Sequence, residues 1–570
     1  MAGSDRRPYE SASTLSQTII NSAADNQTNS FELVVDIETP TGFIRASDRH
    51  KYVDGTFYRA LTNFPEISRT IGEWLNNQVE FSTLSFELNN SDGRFNNFLS
   101  GGSDFNGWIG KSVTVRLGLR EIGSSYFTIF RGFVTEVQGL TRSVQSIVIQ
   151  SRDRFDRLNT QFPTATFTSD EFGVNLDRNV EGQAKPYILG DWTTDLQAAA
   201  VVPAFPINGD DPDVKDDGGL RNAVEFLVSS NALSFFDTDN VYIRSGTELF
   251  KFDVADVTLI ADGNNNRFTV DQNGTSSIDG EPYLFSPGDE LFVQVRGPSL
   301  GGFQDNILQQ AREVLIAFGG AVLGDFTANW NTLRNKTTPT QSAIANIKSR
   351  IWVQDTHSAF EYAKGLVQQV RCEIFINRDL DIDIHANHYE DWDDTPDFEF
   401  RNFDVVRQTF TPALDDRNNF NTGRGVYSFE PIANENVFST DFYENANAVT
   451  QAGKVIERSI VFPNLYVLSD VENQLTEILR LSSAYAEVIS FSSTWRAILL
   501  DIGDFVSLDV RIGGVTLENV PGLVREISYN PDGLQLGIRV WSFQMFPFKT
   551  YNPGHAGITS GQSATITKIT

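Results

Sequence analysis

A single cysteine, five histidines and a shortage of positive charge set the first bounds on this chain. Cys372 stands alone in 570 residues, which excludes an internal disulfide framework and leaves stability to cores and partners. The five histidines come with no G-x-S-x-G, H-E-x-x-H or G-x-x-x-x-G-K-[ST] pattern, so nucleophilic, zinc-protease and phosphate-loop chemistry find no support. No apolar run reaches the roughly 18 residues that a membrane helix needs. Residues 1–30, rich in Ser, Thr, Asn and Gln, lack an apolar h-region, and no secretory leader is expected. Lys and Arg number 45 against 74 Asp and Glu, a formal net charge of -29. Such a field repels nucleic acid unless a basic patch overrides it, and no Lys/Arg-rich run with interleaved aromatics occurs.

What is present points to strands. Hydrophobic residues make up 40% of the chain and aromatics 12%, with 44 Phe, among β-branched residues and abundant Asn, Asp, Gly and Thr. At this length one core does not suffice, and roughly three to five domains of about 100–200 residues are expected.

The clearest stretch is Leu500 to Trp541. A turn at Gly503 and Asp504 releases the alternating run Phe505 to Val510, and Gly513-Gly514 turns the chain. A strand around Gly522-Leu-Val-Arg-Glu-Ile527 follows, then a turn at Asn530 to Gly533 and a last strand through Leu534, Leu536, Ile538 and Val540. This is an antiparallel meander of the kind that curls into a barrel. Something very like it occurs earlier: Gly107-Trp-Ile-Gly110 opens Val113, Val115, Leu117, and Gly132-Phe-Val-Thr-Glu-Val137 follows. The reading is two related barrels bracketing unrelated material.

The fold class expected is therefore mainly β with an α+β middle: two small related β-barrels at the two ends, a β-rich insertion and an α+β domain between them. The boundaries read as a flexible arm 1–30, barrel I 31–158, linker and insertion 159–302, middle domain 303–470, helix and barrel II 471–550, and an extended tail 551–570. Three helices are expected: Gln304 to Phe318, a second capped by Asp355 or Thr356, and a third capped by Ser469. Strands Cys372 to Asn377 and Leu380 to Ile384 complete the middle domain.

The order of strand, Asn89-Asn-Ser-Asp-Gly-Arg-Phe95, Trp108-x-Gly110, Val113-x-Val115, Phe130-Arg-Gly-Phe-Val-Thr-Glu-Val137 and Ser151-Arg-Asp-Arg154 resembles the N-terminal part of the tail hub proteins of long-tailed bacteriophages. Lys185-Pro-Tyr-Ile-Leu-Gly-Asp191 resembles a segment that follows that barrel, and Ser482 to Leu508 resembles the C-terminal hub segment. The resemblance covers about 31–192 and 470–545. It implies a non-enzymatic virion component assembled in the host cytoplasm: a homotrimer whose paired barrels form six positions in a ring and adapt a sixfold tail tube to a threefold spike or fibre. Implied partners are the distal tail or tube protein, the tape-measure protein and the spike or fibre protein, with genomic DNA passing without specific binding. The other readings are a carbohydrate-binding or depolymerising receptor-binding tail protein, for which Trp and Tyr would stack sugars, and a hexameric distal tail ring protein, which needs one such barrel only. No cofactor is expected.

Chemistry has few candidate places. Asp381, Asp383 and His385 stand at i, i+2 and i+4 of a strand, with His388, Asp391, Asp393 and Asp394 close behind, and carboxylate with imidazole at that spacing can hold a divalent ion. The same alternation marks a half-exposed strand, and the solvated face is the reading preferred. Asn208 to Gly218 resembles a calcium loop in composition, but Pro212 intrudes and Asn222 stands where a bidentate Glu is needed. Gly110, Gly132, Gly503, Asp504 and Gly522 are read as structural or interface residues. Glu136 and Glu526, at matching barrel positions, either take an Arg across a barrel seam, such as Arg131 or Arg525 of another subunit, or are unpaired surface carboxylates.

Overall fold

The computed structural model describes residues 31–39, 42–47, 51–53, 56–71, 82–98, 102, 107–119, 126–138, 146–172, 176, 180–193, 200–207, 224–245, 248–251, 257–260, 262–270, 277–278, 281–282, 290–298, 305–337, 344–377, 381–387, 396–415, 419–431, 434–483, 485–494, 497, 500–530, 535–544 and 566–569. The protein is mainly β, in several β-rich parts with a helical minority.

The first part is a ring. Starting from Gly42–Ser47, neighbouring strands are Phe31–Thr39, Ser112–Leu119, Tyr126–Gln138, Ser146–Asp153, Thr83–Asn89 and Thr56–Thr70. Parallel pairing of Ala46 with Arg59 and Ser47 with Ala60 closes the circuit. Alternation explains which face is inside: Leu84, Phe86 and Leu88 are buried while Thr83, Ser85, Glu87 and Asn89 are not fully so, and Val113, Val115 and Leu117 are buried while Ser112, Thr114 and Arg116 are not.

A second ring contains Phe398–Arg401, Phe505–Ile512, Val515–Asn530, Gln535–Gln544 and Tyr485–Ser493. A bridge between Val405 and Ser493 closes it, and the Val406 N–H donates to the Ser492 carbonyl at 2.8 Å. The chain then runs on along the same strand as Thr411–Asp415.

Both rings belong to one 14-stranded sheet. Ile67 to Thr70 pair antiparallel with Tyr529 to Glu526, and one hydrophobic core runs through both rings. Where the rings meet, the buried guanidinium of Arg69 lies 2.9 Å from Asp501 and donates to the Tyr529 hydroxyl at 3.2 Å.

The middle core is built by helices Ile307–Ala317, Ala359–Gln368 and Leu468–Ser482 over the hairpin Cys372–Ile376/Ile382–Ala386 and a five-stranded sheet around Thr422–Glu430. Val471, Leu475, Ile478 and Leu479 of the last helix lie in this core. The expected caps shift: Asn306 caps the first helix through its side chain, and Ser358 caps the second instead of Asp355 or Thr356. Ser469 lies inside the first turn of the third, whose N-cap position is Val467. The second hairpin strand starts at Ile382 rather than Leu380, which lies outside the described residues. In chain order, a seven-stranded sheet comes between the first ring and most of the middle core, with strands ordered Glu248–Lys251, Phe235–Ser245, Leu291–Arg296, Val202–Pro206, Val224–Leu227, Arg267–Val270, Val257–Leu259. It has its own core of Val202, Phe226, Val241, Phe268 and Val293. The arm 1–30, the acidic loop 208–218 and residues 551–565 of the tail lie outside the described residues; Ile566–Ile569 pair with Phe442–Asn445.

Candidate functional site

The sequence pattern that singled out the two glycine turns has a three-dimensional counterpart. Gly110 has φ +76° and Gly503 φ +86°, backbone settings that disfavour any side chain bearing a Cβ. In the first ring the Gly110 N–H donates to the Val134 carbonyl at 2.8 Å and the Val134 N–H to the Lys111 carbonyl at 2.9 Å; in the second, Gly503 donates to Val524 at 2.8 Å and Val524 to Asp504 at 2.9 Å. Three residues after each turn, Val113 faces Gly132 and Val506 faces Gly522. Two residues further on each ladder slips, between Val115 and Arg116 in one and between Leu508 and Val510 in the other.

The long strands also slip at corresponding places. Val134 faces Ser151 and Glu136 faces Gln150, which leaves Thr135 as an extra residue; Val524 faces Val540 and Glu526 faces Arg539, which leaves Arg525. A β-bulge bends its strand and increases the local twist, so each long strand serves its own ring before the bulge and turns outward after it. Gly132 and Gly522 are needed for close approach: a Cβ on Gly132 would collide with the Arg152 carbonyl, and one on Gly522 with the Val540 side chain.

The two corners differ in what covers them. At the second, Phe375 of the middle hairpin lies on the turn, so that a Cβ on Gly503 would stand 3.1 Å from its Cζ. Arg525 makes a two-pronged ion pair with Glu373, Nη2 to Oε1 at 3.1 Å with Nη1 against Oε2, and its guanidinium stacks 4.7 Å from the Trp541 ring centre. Glu373 is 1% exposed and Arg525 7%. Arg525 is thus held by Glu373 of its own chain. Glu526 lies 3.8 Å from Arg539 beside it. At the first corner Ile109 is 45% exposed, Arg131 and Glu136 are exposed, and Glu136 accepts a hydrogen bond from Gln138 at 3.2 Å. Among the described residues nothing lies within 4 Å of a Cβ built on Gly110.

The metal candidates separate. Asp383 is not on a solvated face but buried at 6% exposure. It accepts hydrogen bonds from Thr327, from Asn329 at 3.0 Å, from Asn377 at 3.3 Å and from the Ile384 N–H at 2.8 Å. That set ties the hairpin to Thr327 and to the first residue of the helix Asn329–Arg334. Asp381 and His385 are half-buried, and His388 lies outside the described residues together with Asp391, Asp393 and Asp394. Among the described residues no group of three or more His, Cys, Asp or Glu stands where it could hold a metal ion.

Burial raises the Asp383 carboxyl above its usual range, against the opposing pull of its hydrogen bonds. With the folded value above the unfolded one, the native state holds the extra proton. The site's stabilising contribution is therefore complete at low pH and is lost as pH climbs from the ordinary carboxylate value through the raised one. Urea midpoints for the native protein and an Asp383→Asn variant across about pH 4–7 should diverge with rising pH in the variant's favour. A constant difference would show that Asp383 does not titrate in this window.

No family model matches the chain, and neither does any curated protein. Solved structures do. A tail protein from Neisseria meningitidis aligns over 91% of this chain and 98% of its own, with 8% identity and a TM-score of 0.40. A prophage 43 kDa tail protein from Shewanella oneidensis aligns over 90% and 98%, with 11% identity and a TM-score of 0.37. A Francisella PdpA–VgrG complex aligns over 93% of this chain and 54% of its own, with 8% identity and a TM-score of 0.30.

Proposed function

We propose that this chain is a structural, non-enzymatic component of a phage tail, the central hub of a baseplate or tail tip. The observation that carries the reading is the corner built twice: the same glycine turn, reciprocal hydrogen bonds and bulge at Gly110/Val134 and at Gly503/Val524. Two copies of one unit, fused through a shared sheet, are what a threefold body needs to present six similar positions to a sixfold tube. The order of motifs from Asn89 to Arg154 and from Ser482 to Leu508, which resembles tail hubs, supports the same assignment.

In this reading barrel I takes 31–158, and barrel II combines the C-terminal strands with those from 398–415. The chain assembles in the host cytoplasm as a homotrimer. It meets the distal tail or tube protein on one side, a spike or fibre protein on the other and the tape-measure protein within. A net charge of -29 suits a body past which DNA slides without sticking. Light scattering on the purified chain, with negative-stain images of the same peak, tests this. The expected result is a mass of three times 63.5 kDa and a ring with pseudo-sixfold features. A stable hexamer would move the assignment to a distal tail ring, and a monomer at every concentration would overturn it.

A further inference from the structure

The seam between the rings has a counterpart that is left open. Within one chain, Thr56–Thr70 does two jobs: Arg59 and Ala60 close the first ring, and Ile67 to Thr70 reach over to the second. The stretch from Val405 to Asp415 follows the same plan. Val405 and Val406 close the second ring, and Thr411–Asp415 run on along Tyr485–Ser493. Among the described residues nothing pairs with the outer edge of Thr411–Asp415, the last strand of the sheet. The receiving strands match as well. Beyond its bulge, Glu526–Tyr529 accepts the neighbouring ring, whereas Glu136–Gln138 pairs on one edge only among the described residues.

The register follows from strand rows. In the first ring Glu136 faces Gln150, Gln150 faces Ser85 and Ser85 faces Glu66. In the second Glu526 faces Arg539, Arg539 faces Ser490 and Ser490 faces Thr411. Thr411 therefore holds the place of Glu66, and Asp415 that of Thr70.

We propose that Thr411–Asp415 of one copy pairs antiparallel with Glu136–Gln138 of a second copy, repeating between chains the ladder that joins the rings within one. This deepens the hub reading and rests on it, since a heterologous contact of this kind closes into a ring only if the rotation between copies allows. Transferring the internal register, where Ser68 faces Ser528 and Arg69 faces Ile527, sets Ala413 opposite Gln138 and Leu414 opposite Val137. Pro412 has no N–H to give, so the ladder is short. A proline in an edge strand also keeps it from accepting unrelated strands.

The test is a disulfide in the full-length protein. Because the Ile71 N–H donates to the Arg525 carbonyl, the bonded pairs of the internal seam are 71/525 and 69/527. The 68/528 pair, and so the 413/138 pair, is a non-bonded one, where Cα atoms stand about 4.5 Å apart and a disulfide forms readily. Cys372 is buried and gives little background. Oxidised Gln138→Cys/Ala413→Cys protein should yield covalent dimers and trimers on a non-reducing gel, at least tenfold more than a register-slipped Gln138→Cys/Thr411→Cys control. A trimer by light scattering that gives no cross-link, or equal cross-linking in both registers, overturns the strand pairing and leaves the hub reading standing. A protein that stays monomeric and uncross-linked overturns both.

Discussion

Replacing Arg525 by Ala should lower the stability of the folded protein by about 3–5 kcal/mol, the range for breaking a buried ion pair from one side. The size comes from what is left behind. Glu373, 1% exposed, loses both prongs of its partner and keeps a carboxylate in a site that water does not reach. The guanidinium also covers the Trp541 ring, so truncation removes a stacking contact in the same place. The pair itself need not be stabilising compared with apolar residues. Arg525→Met with Glu373→Met should therefore recover most of the loss, because no charge is then stranded. Urea unfolding of the single and double variants measures this. A loss under about 1 kcal/mol in the single variant would mean that the pair behaves as a solvent-screened one, and that it does not fasten the middle hairpin to the second ring.

Gly132→Ala should cost about 3 kcal/mol by overpacking, and Gly110→Ala about 1 kcal/mol. The two glycines stand at one corner for different reasons. No described residue crowds the missing Cβ of Gly110, so among the described residues the added methyl meets only the unfavourable backbone setting at φ +76°. Gly132 is in an ordinary strand setting, but its added methyl would overlap the Arg152 carbonyl and press on the Phe130 ring. A carbonyl in a paired strand cannot retreat without opening the ladder to Tyr126–Gln138. Thermal and urea unfolding of the two variants should rank them in that order; equal losses would mean that the strands separate easily at this point.

Much of the ring architecture was legible in the sequence because its signals are local. Gly503, Gly513 and Gly514 do sit in turns with positive φ, and Leu84, Phe86 and Leu88 alternate as a strand with one buried face should. The likeness of Gly132 to Val137 and Gly522 to Ile527 was visible as letters. The bulges at Thr135 and Arg525 were not, because a slip is a relation between two strands and no residue type announces it. Asp383 was misread for a related reason. The alternation around it predicts a wet face, but Thr327 and Asn329, more than fifty positions upstream, cover that face and satisfy the carboxylate. Arg525 and Glu373, 152 residues apart, likewise find each other only through the fold. Strands Phe398–Arg401 and Thr411–Asp415 join the second ring from far upstream, a membership that pattern alone does not carry.

The ladder of Ile67–Thr70 with Glu526–Tyr529 has a consequence in time as well as in space. Arg69 and Tyr529 are 460 residues apart. A ribosome adding about 5–20 residues per second needs roughly 20–90 s to cover that distance. All strands of the first ring are made once Asp153 has been added, so the nascent ring can close early while the flank that the second ring will occupy stays bare. Neighbouring nascent chains on one messenger RNA present the same bare flank at the same moment. Slow translation downstream of the first ring therefore lengthens the time for which that flank is bare, a time that ends only when the last long strand arrives.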